Sequence, residues 1–333
     1  MLVVAERLSE FFSCHKGPIT KKKILRSRNT MKKTILTLSA IAATALAAQA
    51  QTTVFSDNFS ASQGTNYTTA GTIGTSSWTV SRGSISTQET GADWGARIDN
   101  GVLQLNNDVS TSFTNANGWV YAYQTLASTN DFSTIFSSSA GAMTWTFNMQ
   151  QIRPNPAGFG TNSYGAAWIV GASSTLVATQ GSGYAIVLGN TGAPDPLRFV
   201  SFTGGLQTLG TTTNALISAT TPLNNPTNNY MSVQLTYDPT SDLWELFGRN
   251  DGTTSFSDPN VGTLDSLGSV IDSTYTGTEL TSSGAYWQGS TAGNQFAQFG
   301  NASLEVVPEP STYALLALSA AGFAGYVIRR RRR

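Results

Sequence analysis

Alternation of large apolar and polar side chains is the strongest local signal in this chain. It is cleanest in Met143-Thr144-Trp145-Thr146-Phe147-Asn148-Met149-Gln150, where every odd position is apolar and every even one polar. Side chains of an extended strand point to opposite faces in turn, so such a segment buries one face and wets the other. The same pattern runs through Met231, Val233, Leu235 and Tyr237, with Ser232, Gln234 and Thr236 between them. The turn-forming stretch Asp238-Pro239-Thr240-Ser241-Asp242 follows and leads into Leu243-Trp244-Glu245-Leu246-Phe247, which predicts a β-hairpin. Further strands are expected at 101–105, 119–124, 166–170, 184–188, 197–202 and 296–306, each flanked by Gly, Asn, Asp or Pro. Residues 51–307 carry neither helical periodicity nor a fixed-length repeat. The expected fold class is therefore all-β, a jelly-roll-like two-sheet sandwich.

Two apolar segments break the alternation. At Met31 the pair Lys32 and Lys33 precedes an apolar run, and Ala48-Gln49-Ala50 supplies a small-x-small cleavage site. Residues 31–50 thus read as a secretory signal peptide, with Ala48 and Ala50 in the small subsites of signal peptidase. Residues 1–30 hold Lys21, Lys22, Lys23, Arg26 and Arg28 without periodicity or cap. They read as sequence upstream of a true start at Met31, or as an extended n-region. At the other end, residues 312–328 are uncharged. As a helix they reach roughly 25 Å, about the minimum for one transmembrane crossing. Arg329, Arg330, Arg331, Arg332 and Arg333 follow. By the positive-inside rule they hold the C-terminus in the cytoplasm and place the body beyond the membrane. Pro308 and Pro310 keep Glu309 extended and accessible.

Pro308, Glu309, Pro310 and Ser311, then the apolar span, then the arginines make a tail over 308–333 that resembles the PEP-CTERM sorting signal. The resemblance implies recognition and cleavage by exosortase, a transpeptidase-like membrane protease of Gram-negative bacteria that make exopolysaccharide. It also implies a transient inner-membrane anchor, followed by delivery to the cell surface or extracellular matrix. In the body, VFSDNFS at 54–60, IDNGVLQL at 98–105, TWTFNMQ at 144–150, GYAIVLG at 183–189 and YDPTSDLWELF at 237–247 are similar, in order and type, to concanavalin A-like lectin/glucanase jelly rolls.

Composition narrows the chemistry. Cys14 and His15 are the only cysteine and histidine, and both precede the signal cleavage site. The exported body therefore lacks the residues for a Ser-His-Asp or Cys-His nucleophile, a His or Cys zinc site, or a disulfide. The full chain sums to zero charge, but residues 51–307 hold five Arg, no Lys and sixteen Asp or Glu, a net charge of −11. Such a surface repels nucleic acid, which needs Lys and Arg at its phosphates. All seven tryptophans lie in this region, which argues for a folded core.

The Glu-x-Asp-x-x-Glu strand of glucanases in this resemblance is missing, with Asp242 and Glu245 the nearest approximation. No catalytic residue is assigned and a non-enzymatic protein is expected. The alternative is a glycoside hydrolase with Glu245 as its acid. Lectins of the fold bind calcium, but Asp99 and Asn100 lie some 20 Å along the strand from Asn107 and Asp108, too far to share an ion. They read as turn residues, and no cofactor or metal site is located. Extracellular polysaccharide is the candidate ligand. Trp94 and Trp287, in Gly- and Ala-rich stretches, are the candidate stacking platforms, with burial in the core as the competing role. Tyr121 and Tyr123 read as sheet packing.

Overall fold

The computed structural model describes residues 52–60, 67–74, 78–84, 94–107, 118–126, 141–153, 155–160, 163–190, 192–210, 215–226, 228–289 and 296–306, with single positions at 322 and 330. The expected signal peptide, the thirty residues before it, the sorting motif at 308–311 and the apolar span at 312–328 other than position 322 lie outside the described residues, as do the terminal arginines other than position 330.

In chain order the strands are β1 (Thr52–Asp57), β2 (Gly71–Ile73), β3 (Trp78–Ser84), β4 (Trp94–Asp99), β5 (Val102–Asn107) and β6 (Gly118–Thr125). Next come β7 (Met143–Gln151), β8 (Gly165–Ala172), β9 (Ser182–Leu188), β10 (Arg198–Thr203) and β11 (Ile217–Ser218). The last are β12 (Tyr230–Asp238), β13 (Leu243–Gly252), β14 (Asp265–Ile271), β15 (Ser282–Gly289) and β16 (Ala297–Val306). They form two antiparallel sheets. The first runs β14-β13-β12-β7-β16-β5-β4, with β1 added along β16; the second runs β11-β10-β9-β8-β15-β6-β3-β2. This is the two-sheet sandwich that the alternation predicts.

The alternating positions explain the core. Trp145, Phe147 and Met149 of β7, Met231, Val233 and Leu235 of β12, and Leu103 and Leu105 of β5 are all fully buried against the second sheet. Trp168 of β8 lies at the centre, stacked on Phe147 with centroids 4.7 Å apart and meeting Trp78 edge-on at 6.0 Å. A second aromatic group surrounds Trp244, with Tyr237, Tyr184 and Phe199 at 4.4 to 4.9 Å. The 238–242 turn closes the β12–β13 hairpin as predicted. The Asp238 carboxylate accepts the Thr240 amide and the Thr240 and Ser241 hydroxyls, and these bonds hold it below the usual carboxylate range.

The outer faces of the two sheets differ, and this difference positions the site. Outside the second sheet, Trp119 stacks on Tyr286 and Tyr121 on Tyr123. A second apolar layer covers them, with Val177 from the β8–β9 loop, Leu206 from the 3-10 turn after β10, and Phe159. That face is closed by hydrocarbon. The outer face of the first sheet carries polar side chains instead: Gln104, Asn148, Gln150, Ser232, Gln298 and Ser303.

Candidate functional site

Register assembles these polar positions into rows. Gln104 of β5, Gln298 of β16 and Gln150 of β7 stand opposite one another across three adjacent strands. In the next row Asp99 pairs with Val102, Gly300 with Asn148, Asn148 with Ser232, and Ser232 with Arg249. Two local devices shape the surface. Asn100 and Gly101, at φ 51° and 79°, form a two-residue hairpin between β4 and β5, the left-handed geometry that Asn-Gly favours. An irregularity in the β16–β7 register between Gly300 and Ser303 brings Asn301, at φ 43°, onto the outer side, where its Nδ2 donates to Asn148 Oδ1 at 2.8 Å.

The β13–β14 connection folds back over the same face and is tied down by one cluster. Arg249 Nε pairs with Asp251 at 2.7 Å, while its Nη groups donate to the Val261 and Asp258 carbonyls and to Ser232 Oγ. Asp251, whose side chain is wholly buried, also accepts the Ser257 amide, and Asn148 Nδ2 donates to the Ser257 carbonyl at 2.9 Å. This strap delivers Phe256 edge-on to Tyr230, with ring centroids 4.7 Å apart.

Between the strap and the β4–β5 hairpin lies a cleft of about 380 Å³, within the usual range for small-molecule sites. Its floor is Gly300, Gln298 and Gln104. One wall is Tyr230 with Thr254, Ser255 and Phe256; the other is the hairpin tip from Asp99 to Val102, with Asn301 beside it. A Cβ at Gly300 would stand 3.3 Å from the Phe256 ring and 3.5 Å from Asn148 Oδ1, so glycine keeps the floor low. Arg97 Nε donates to Gln104 Oε1 at 2.9 Å and pairs with Asp99 at 3.6 Å, which fixes both side chains at the edge. The arrangement offers carboxamides, hydroxyls, one carboxylate and two aromatic rings.

The sequence-derived candidates fall elsewhere. Trp94 lies in β4 at 1% exposure, and its indole crosses the sandwich to Gly118, where a Cβ would come within 2.0 Å of the ring. Trp287 lies in β15 at 0% exposure. Both are core residues, the competing role, and neither presents a stacking face, which corrects their candidacy as glycan platforms. Asp242 sits in the hairpin turn at φ 52° and accepts the Tyr237 hydroxyl at 2.7 Å. Glu245 faces out from β13 between Thr236 and Ser269, and neither acid lines the cleft. Asn100 is a turn residue, Asp99 ends β4 and lines the cleft, and Asn107 ends β5; Asp108 lies outside the described residues. Among the described residues no group of three or more His, Cys, Asp or Glu could hold a metal.

Burial perturbs several groups elsewhere. It raises the Tyr121 and Tyr286 phenols, and it raises Tyr184 and Tyr237, helped by the hydrogen bonds these donate to Asp272 and Asp242. Asp195 is pushed up and Arg198 down, each mainly by burial, behind the loop that joins β9 to β10.

Residues 306–333 match the PEP-CTERM protein-sorting motif. The chain thus carries a tail that marks an exported surface protein processed by exosortase. Among the described residues no helix is long and apolar enough to cross a membrane. No curated protein matches the chain significantly. Similar solved structures include legume lectins, which are concanavalin A-like sandwiches. Peanut lectin with a 9mer peptide has 11% identity and TM-score 0.36, covering 68% of this chain and 97% of the lectin. The basic winged bean lectin with Tn-antigen has 12% identity and TM-score 0.39, covering 68% and 98%. The CBM2 module of an evolved Dit from a Lactobacillus casei phage has 10% identity and TM-score 0.41, covering 77% and 96%.

Proposed function

We propose that this is a non-enzymatic surface or exopolysaccharide-matrix protein, exported by the general secretory route and cut at its PEP motif. Its sandwich binds extracellular glycan. The observation that carries this reading is the sorting motif beginning where the sandwich ends, since β16 closes at Val306 and Pro308 follows two residues later. The open polar cleft supports the binding role, because hydroxyl-rich ligands need paired donors and acceptors beside an aromatic wall. Its lining holds a single carboxylate, Asp99, whereas glycosidases use two.

Expression in an exosortase-bearing host tests the sorting step. The wild type should reach the surface or medium, whereas a protein lacking Arg329 to Arg333 or carrying Glu309→Ala should accumulate uncut with the membrane. Equal release of all three would sink the sorting claim. Turnover of a glycan by the purified body would sink the non-enzymatic one.

A further inference from the structure

We infer that the cleft takes an uncharged, hydroxyl-rich sugar unit and rejects anionic polysaccharide. This inference rests on the glycan-binding reading and adds to it the site and the ligand class.

Gln298 occupies the middle of the three-strand amide row. The residue is 8% exposed and lines the cleft floor. Its carboxamide carries both a donor and an acceptor, which a ligand with neighbouring hydroxyls can engage together. Asn301 has committed its Nδ2 to Asn148, which leaves Oδ1 as an acceptor. Gln104 has its Oε1 taken by Arg97, which leaves Nε2 as a donor. The floor and the adjoining wall thus offer both donors and acceptors, as neighbouring sugar hydroxyls require. The aromatic wall of Tyr230 and Phe256, both half-buried, offers apolar surface to the C–H face of a pyranose.

Charge selects within the sugars. No Lys or Arg is among the described residues that line the cleft, and the Arg97 and Arg249 guanidinium groups are held by Asp99 and Asp251. An incoming uronate would lose its hydration, meet the Asp99 carboxylate, and approach a body of net charge −11. A neutral unit meets none of these costs.

The test uses the mature protein purified from an exporting host, in affinity electrophoresis against dextran, galactomannan, xylan, alginate and hyaluronate. Retention by at least one neutral polymer, insensitive to salt, is expected. Gln298→Ala and Asn301→Gly should each weaken it by about tenfold. Glycine accepts the positive φ of residue 301, so that variant removes the amide and keeps the backbone. Thermal unfolding of each variant checks the fold. Retention by alginate or hyaluronate that the same variants weaken overturns the ligand class. Neutral binding that folded variants leave unchanged overturns the site and spares the glycan reading. Retention by none of the five polymers overturns both.

Discussion

Four tyrosines hold their phenolic protons more tightly in the folded protein than outside it. Tyr121 and Tyr286 do so by burial; Tyr184 and Tyr237 do so by burial and by donating to Asp272 and Asp242. A pKa raised by folding contributes stability that is complete below the unfolded value, about 10, and lost as pH climbs past it. The sandwich should therefore unfold on the alkaline side, with phenolate absorbance rising together with loss of near-ultraviolet circular dichroism. Phenolate formation in a protein that stays folded would contradict this. At this scale the sequence was legible in part. Trp145 and Trp244 announce their burial through alternation, but Trp94 and Trp287 sit among Gly and Ala, which resemble loop composition; Gly289 makes room for the Trp287 indole, while the glycine beneath Trp94 is Gly118 on another strand. Gln298 and Asn301 carry no individual signal, because an outward amide gains meaning only beside its cross-strand partners.

The strap over the first sheet depends on Arg249. Replacing it by alanine leaves the fully buried Asp251 side chain without its counter-charge, a change that costs about 3 kcal/mol. Chemical denaturation of Arg249→Ala should show that loss, and limited proteolysis should cut first between 253 and 262. An unchanged midpoint and cleavage pattern would remove the strap's assigned anchor. Among the elements, β7 and the β12–β13 hairpin were readable because one face is core and the other wet. β15 was not, since all eight of its residues are buried between the sandwich core and the outer apolar layer. A strand covered on both sides shows no period of two. The strap was unreadable as well, because Arg249 finds its partners through the fold-back rather than through a local motif.

At the scale of the whole molecule, the register of β1 with β16 pairs Thr52 with Val306. The first and last described residues of the body thus stand side by side at one end of the sandwich. The cleft lies toward the other end, its Gln298 eight residues back along β16, roughly 27 Å at the usual rise per residue. A body trimmed at both expected cleavage sites would carry the net charge of −11 hidden in the neutral full chain. That total, the C-terminal sorting motif and the all-β class were legible from sequence, whereas the cleft needed the order of the strands. Intact mass of the protein recovered from an exosortase-bearing host tests the account most directly. The predicted species begins at Gln51 and ends within the Pro308 to Ser311 motif; a species that keeps Cys14 and His15, or one that still ends at Arg333, contradicts it.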